Sequence, residues 1–174
     1  MVFFVMAMST VQVSAQVIGI STNTLGWLGA TPNLGIDVGF AKKWSLELNG
    51  FYNPFDWSSG RQTHIWGLQP EVKFWPRYKF AGHYFGIHGN YAMYDWGLWK
   101  YRYKGELGGA GFSYGYAWMF HKRWNLEGSI GLGYTRLSHQ NKYDRHDPMV
   151  SFGPERHNRF GLTRIALKIS YFFK

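Results

Sequence analysis

The sequence predicts an all-β fold, an eight-stranded antiparallel transmembrane β-barrel of the outer-membrane type. Three observations support this prediction. Eight segments alternate apolar and polar residues with a period of two, which is the main sequence signal of a strand. The apolar faces carry Trp, Tyr and Phe near the strand ends, while the opposite faces carry full charges. The connections alternate between short and longer ones, as expected for short periplasmic turns and longer external loops.

The composition restricts the class of protein. The chain has 174 residues, enough for one domain. Mean hydropathy is −0.30, and beyond the N-terminus no run approaches the ~20 apolar residues of a spanning helix. A spanning strand needs only ~9–11 residues, of which every second one faces lipid. The sequence contains no Cys, so stability is expected from barrel closure rather than from disulfides.

The N-terminus has the features of an export signal. An apolar stretch, MVFFVMA, is followed by Val13-Ser14-Ala15, which has the small-x-small form of a signal-peptidase site. We therefore predict a signal peptide at residues 1–15, cleaved after Ala15, and a single barrel domain at residues 16–174. A basic segment before the apolar stretch is missing, which indicates a truncated or misplaced start. The alternative is a first strand or an amphipathic segment.

The eight alternating segments define the expected strands. They cover residues 17–28, 33–40, 44–53, 64–75, 83–95, 106–120, 124–138 and 159–173. The short connections are 41–43, 76–82 and 121–123, and the longer ones are 55–62, 96–105 and 139–158. The connection 29–32 is short but falls on the side of the longer ones. A glycine run at residues 108–111 is expected to mark a bend or bulge rather than a phosphate loop, because no helix follows it.

Seven charged residues lie on the polar faces of these segments. The interior of an eight-stranded barrel is filled by side chains, so these charges must pair with one another to offset the cost of burial. Gln69, His88, Asn49 and Asn125 are expected to complete their hydrogen bonds. The predicted lumen charge network consists of Asp37, Glu47, Glu71, Lys73, Glu127, Arg164 and Lys168. A closed, charge-paired lumen argues against a pore.

Basic residues are concentrated in the longer connections. The net charge is +9, and lipopolysaccharide presents phosphates at the outer surface, which Arg and Lys bind by charge-assisted hydrogen bonds. The alternative is that these residues only keep the rim hydrated. The expected phosphate contacts are Arg61, Lys100, Arg102, Lys104, Arg145, Arg156 and Arg159, with Lys142 in the same group.

A search for catalytic and ligand-binding patterns favours a non-enzymatic protein. Lipid A deacylases of the eight-stranded type use a His-x-Ser motif, which is missing here, and the adjacent Ser138 and His139 would face opposite sides of a strand. The loop at residues 143–147 offers Asp and His as omptin-like proteases do, but a single short cluster fixes no geometry. Most aromatic residues lie on the period-two apolar faces rather than among the basic residues, which disfavours nucleic-acid binding. The sequence thus indicates no catalytic, cofactor-binding or metal-binding residue.

Three stretches carry a family resemblance. TPNLGIDVGFAKKWSLELNGFYNPF at residues 31–55, LQPEVKFW at 68–75 and YGYAWMFHKRWNLEGSIGLGY at 114–134 contain two W-[SN]-L-E strands and a Q-P-E strand. They resemble a domain-of-unknown-function family of small outer-membrane barrels associated with fimbria-type gene clusters of Gram-negative bacteria. That family often carries Cys where this chain has Pro76-Arg77 and residues 144–148. It also tends to end on an aromatic residue, whereas Lys174 follows Phe173 here.

The resemblance transfers no activity. Together with the residue pattern it predicts a non-enzymatic outer-membrane barrel with a structural, surface-interaction or assembly-accessory role. The expected partners are outer-membrane lipid, lipopolysaccharide and another envelope or fimbrial protein. Two alternatives remain at this stage, a lipid-modifying or proteolytic enzyme acting through rim residues, and a soluble periplasmic β-domain.

Overall fold

The computed structural model describes residues 17–53, 56–57, 61–98, 101–144, 151–152 and 155–173. The predicted signal peptide lies outside these residues. In chain order the elements are β1 (Val17–Asn23), α1 (Thr24–Leu28), β2 (Asn33–Ala41), β3 (Trp44–Asn53), β4 (Asp56–Trp57), β5 (Arg61–Phe74), β6 (Gly82–Leu98), β7 (Tyr101–His121), β8 (Trp124–Asp144), β9 (Ser151–Phe152) and β10 (Glu155–Phe173).

Eight of the strands form a closed antiparallel barrel. The hydrogen-bonded order is β10-β1-β2-β3-β5-β6-β7-β8, and β8 pairs with β10 to complete the ring. The two-residue strands β4 and β9 only extend the hairpins of β5 and β8. Closure leaves none of these eight strands with an unpaired edge. Stability can thus come from barrel closure, as expected for a sequence without disulfides. The predicted all-β fold, a closed barrel of eight antiparallel strands, is therefore confirmed.

Several strands are longer than the sequence pattern indicated. Residues 96–105 and 139–158 were expected to be loops, but β6 continues to Leu98, β7 begins at Tyr101, β8 continues to Asp144 and β10 begins at Glu155. The end of β8 and the start of β10 carry no alternation of apolar and polar residues. The start of β7 does alternate, with Tyr101 and Tyr103 between basic residues, but these basic residues resemble those of a loop. The basic residues Arg102, Lys104, Lys142 and Arg156 consequently lie in strands, not in loops.

The first strand is shorter than expected. Residues 17–28 were expected to form one strand, but the strand ends at Asn23 and the next five residues form α1. Asn23 caps this helix, because its side-chain oxygen accepts a hydrogen bond from the Leu25 amide at 3.2 Å. The Thr24 hydroxyl in turn donates to the Leu167 carbonyl oxygen at 2.8 Å, which holds the helix against β10.

The glycine-rich segment at residues 108–111 contains no bulge. It pairs without interruption with β6 and with β8. A Cβ on Gly109 would lie 2.5 Å from the Tyr134 carbonyl oxygen, so this position packs directly against the backbone of β8. Glycine at this position allows β7 to approach the backbone of β8 closely.

The barrel is apolar outside and polar inside. Buried side chains are mainly polar or charged, whereas large apolar side chains on every barrel strand are exposed, among them Leu34, Leu68, Phe85, Phe112 and Ile165. This arrangement is the reverse of that in a soluble domain, where burial of apolar surface drives folding. The described part of the chain contains no helix long and apolar enough to cross a membrane.

An aromatic cluster closes the end of the barrel that carries the short turns. The turn after β5 folds across this end, with the rings of Trp75 and Tyr84 fully buried and their centroids 4.8 Å apart. Phe80 packs on Trp75 and on Phe172. The Trp75 indole donates to the Ser45 hydroxyl at 2.9 Å, which satisfies its only polar atom. The lumen is thus sealed below its charged residues.

Candidate functional site

The seven residues of the predicted lumen charge network are brought together inside the barrel, in the half nearer the short turns. This half is called the inner half below, and the half at the other end is called the outer half. The strand register sets Asp37 opposite Glu47, and Glu47 opposite Glu71. Three carboxylates therefore stand side by side on adjacent strands, an arrangement that is repulsive on its own. Lys73, Arg164 and Lys168 supply the compensating charges.

Glu47 is the centre of this network, because it contacts all three cations. Its Oε2 lies 2.6 Å from the Lys73 ammonium and 2.7 Å from the Lys168 ammonium. Its Oε1 lies 3.2 Å from Nη2 of Arg164. Four strands, β3, β5, β8 and β10, are connected through Glu47 and the groups around it, so the network braces the barrel across its interior.

The remaining carboxylates complete the pairing. Glu127 accepts hydrogen bonds from Lys73 at 2.5 Å and from the Tyr84 hydroxyl at 2.7 Å. Asp37 accepts from Lys168 at 2.9 Å. Glu71 lies 3.1 Å from Arg164 and accepts a short hydrogen bond from Ser113. Four carboxylates thus face three cations, with neutral hydroxyl donors stabilising the additional negative charge.

A layer of neutral polar groups covers the network on its outer side. The Arg164 guanidinium donates to Gln69 at 2.6 Å, and Gln69 donates to Asn90. Asn90 donates to the Thr163 carbonyl oxygen at 3.3 Å, and the Thr163 hydroxyl lies 2.8 Å from His88 Nε2. His88 thus makes a hydrogen bond within the lumen. This polar layer separates the charges from the outer half of the lumen.

A strand irregularity makes this layer possible. The register between β10 and β8 shifts between Leu162 and Arg164, and both Thr163 and Arg164 consequently point into the lumen. A β-bulge re-aims side chains in this way. The sequence pattern gave no signal for the bulge, and Thr163 was therefore not anticipated as part of the site.

The network is a structural ion cluster and has a poor arrangement for a metal ion. Carboxylate oxygens of Glu47, Glu71 and Glu127 lie within 4.8 Å of one another, close enough for all three to coordinate one metal ion. The space among them is held by the Lys73 ammonium, which contacts all three. The protein's own cations thus satisfy the charge that would attract a metal.

The predicted phosphate contacts are dispersed. Lys104 is half exposed and pairs with Asp95 at 3.4 Å. Arg61 and Arg102 lie in β5 and β7, whereas Lys100 and Arg145 lie outside the described residues. Arg156 and Arg159 both lie on β10, but on opposite faces. Arg159 is opposite Thr135 in the register, which places it on the lumen side, and Arg156 is opposite Ser138 on the outer side.

A shallow groove lies on the outer wall beside Arg156. It has a volume of about 330 Å³ and is lined by Tyr91, Glu106, Gly108, Arg136, Ser138 and Arg156. Arg136 was missed by the sequence analysis because it lies within a strand segment rather than in a connection. Extending the alternation of β8 beyond Tyr134 would have placed it on the outer face.

We expect the Glu47→Gln variant to be strongly destabilised. The substitution removes the one carboxylate that contacts Lys73, Lys168 and Arg164 together, so each buried cation loses an ion pair, which costs about 3–5 kcal/mol. Urea unfolding of the refolded barrel, followed by the fluorescence of its tryptophans, measures this loss. Lys168→Met added to Glu47→Gln removes a cation that has already lost its ion pair with Glu47, so the double variant should lose less than the sum of the two single losses. Glu106→Gln on the outer wall is the control, with a change within about 0.5 kcal/mol. Strictly additive losses, or a Glu47→Gln variant as stable as this control, would contradict the bracing role.

Comparisons with known proteins identify the family. Residues 1–173 match the family described as "Protein of unknown function (DUF3575)". Neither the comparison with curated proteins nor that with solved structures gives a significant match. Because the match covers almost all of the sequence, the chain belongs to the DUF3575 family of uncharacterised proteins.

Proposed function

We propose that this protein is exported and inserted into an outer membrane, where it acts as a non-enzymatic barrel with a structural, surface-interaction or assembly-accessory role. The observation that carries this proposal is a continuous belt of exposed apolar side chains around the barrel. A domain in water rarely exposes apolar patches of more than a few hundred Å². Such a belt is suited to the hydrocarbon core of a lipid bilayer.

The height of the belt fits a bilayer. On β8 it extends from Trp124 to Tyr134, and the ten residue-to-residue steps between them span about 34 Å along the strand at ~3.4 Å each. At a tilt of about 40° this corresponds to a height of about 26 Å, close to the ~25 Å apolar band of outer-membrane barrels. Aromatic side chains border the belt at both ends. Trp44, Trp124 and Tyr171 lie at the inner border, and Tyr52, Trp66, Tyr91 and Tyr134 lie at the outer border.

Charged groups begin directly beyond these borders. On the inner side, Lys43 precedes Trp44 and Arg123 precedes Trp124. On the outer side, Arg136 follows Tyr134 in the alternation, and Arg156 lies beyond Phe160 on β10. Cations at these two levels are suited to lipid phosphates. The outer-wall groove with Arg136 and Arg156 is therefore the proposed contact for lipopolysaccharide phosphate, with Ser138 as an additional donor.

A charge in the middle of the belt should block insertion. Ile130 is exposed on β8, and the Ile130→Lys variant would place an ammonium near the bilayer midplane at a cost of about 2–4 kcal/mol. We expect a smaller folded, heat-modifiable fraction in outer membranes, measured on unheated gels. Ile130→Leu is the matched control and should behave as wild type. Recovery of the unaltered protein in the soluble periplasmic fraction without detergent would refute membrane insertion.

Removing both groove arginines should weaken lipid A binding. In the Arg136→Ala/Arg156→Ala variant, the amount of lipid A retained by the purified barrel should fall by about tenfold, because charge-assisted hydrogen bonds to phosphate are lost. Mass spectrometry of the bound lipid measures this. Lys42→Ala/Arg77→Ala, in the turns at the opposite end of the barrel, removes the same two charges and is the control. Equal retention of dephosphorylated and phosphorylated lipid A by the unaltered protein would count against phosphate recognition.

We further propose that the barrel associates with fimbriae or another envelope complex. It is supported by the resemblance of the W-[SN]-L-E and Q-P-E strands to barrels associated with fimbria-type gene clusters. Chemical cross-linking in intact cells followed by purification of the barrel should recover an envelope or fimbrial protein. Recovery of the barrel alone, with an unrelated outer-membrane barrel as the control, would argue for a purely structural role.

A further inference from the structure

The outer half of the lumen contains a cavity. Its volume is about 570 Å³, and it lies between the polar layer of Gln69, Asn90 and Thr163 and the outer end of the barrel. Cavities that bind small molecules typically have about 300–1,000 Å³. The interior was expected to be filled by side chains along its whole length, which holds for the inner half but not for this part.

The walls of the cavity are mainly apolar. The lumen-facing side chains there are Phe51, Ile65, Ala92, Leu107 and Leu137. The side-chain lining contributed by β10 has a gap at Gly161, because glycine carries no side chain. A Cβ built on Gly161 meets no atom within 4 Å, so the space beside it is open. An apolar ligand body could therefore be accommodated without displacing protein atoms.

The floor of the cavity offers few free hydrogen-bonding groups. Gln69, Asn90 and Thr163 are already engaged with Arg164, with one another and with His88. A strongly polar ligand would lose its hydration without gaining equivalent partners at the floor, which is unfavourable. The part of a ligand that reaches the floor should therefore be apolar.

Among the described residues that line the cavity, Arg159 is the only cation, and it lies on the outer side. Its register partner is Thr135, which also lines the cavity. Among the described side chains, no carboxylate forms an ion pair with Arg159. Arg159 therefore gives the mouth of an apolar cavity a positive charge that is available to an anionic group.

We propose that this cavity binds a single-chain amphiphile with an anionic head, such as a long-chain carboxylate or sulfonate. The apolar body lies among Phe51, Ile65 and Leu107, and the head pairs with the Arg159 guanidinium at the outer end. The proposal gives Arg159 a role distinct from the lipopolysaccharide-phosphate contact expected from the sequence. It does not depend on the lipid A contact at Arg136 and Arg156.

Fluorescence titration of the full-length barrel in phosphatidylcholine nanodiscs tests the proposal. The probe is anilinonaphthalene sulfonate, which combines an apolar aromatic body with one anionic group, and empty nanodiscs give the background. We expect saturable binding above this background. Dodecanoate should displace the probe, whereas the cationic dodecyltrimethylammonium should displace it at least about tenfold less well, because its charge is repelled by Arg159.

Matched variants locate the binding. Gly161→Phe fills the cavity and should abolish saturable binding, whereas Gly50→Phe places the same ring on the outer face and should leave binding unchanged. Thr135→Phe is a second filling variant in case Gly161→Phe does not give the heat-modifiable folded form. Arg159→Ala should weaken probe binding by about tenfold, and Arg77→Ala at the other end should not.

Two results would overturn the proposal. Probe signals that never saturate above empty nanodiscs, or that are equal in Gly161→Phe and Gly50→Phe, would show that the cavity holds no ligand of this kind. Binding that survives Arg159→Ala, with equal displacement by the anionic and cationic competitors, would refute the selectivity for an anionic head.

Discussion

The buried ion cluster is the constraint on which the rest of this structure depends. Closing eight strands into a ring gives a narrow interior, and the register places three carboxylates side by side within it. Each carboxylate would be strongly unfavourable alone. Lys73, Lys168 and Arg164 offset this cost by contacting carboxylates from different strands, so the strands cannot shift relative to one another without breaking several ion pairs.

The same constraint explains the reversed polarity of the barrel. Once the interior is occupied by charges and hydrogen bonds, the apolar residues of each strand must face outward. The aromatic cluster around Trp75 is the exception, and its position at the turn end keeps water away from the ion cluster. Low dielectric around the charges strengthens their attraction. The outer apolar belt and the inner charges are therefore two consequences of one alternating sequence pattern.

The two halves of the lumen differ because the wall residues differ. In the inner half, long charged side chains from β3, β5, β8 and β10 meet at the centre. In the outer half most inward positions carry small or apolar residues, Gly161 and Ala92 among them, and Arg159 is the one charged side chain among the described lining residues. The bulge at Thr163 and Arg164 forms the boundary, since it turns two successive side chains inward and completes the polar layer.

The sequence by itself determined the strand count, the faces and the members of the ion cluster. An alternation of period two identifies inward and outward residues, and the charges on the inward face must pair wherever the barrel closes. Only the tertiary structure decided the partners, because distances such as that between Lys73 and Glu127 depend on shear and tilt, which alternation does not encode. The helix after Asn23, the strand ends beyond the apolar belt and the cavity beside Gly161 were likewise hidden. The helix results from local capping, most of the strand ends from backbone hydrogen bonding without an amphipathic pattern, and the cavity from the absence of side-chain volume. None of these leaves a periodic signal.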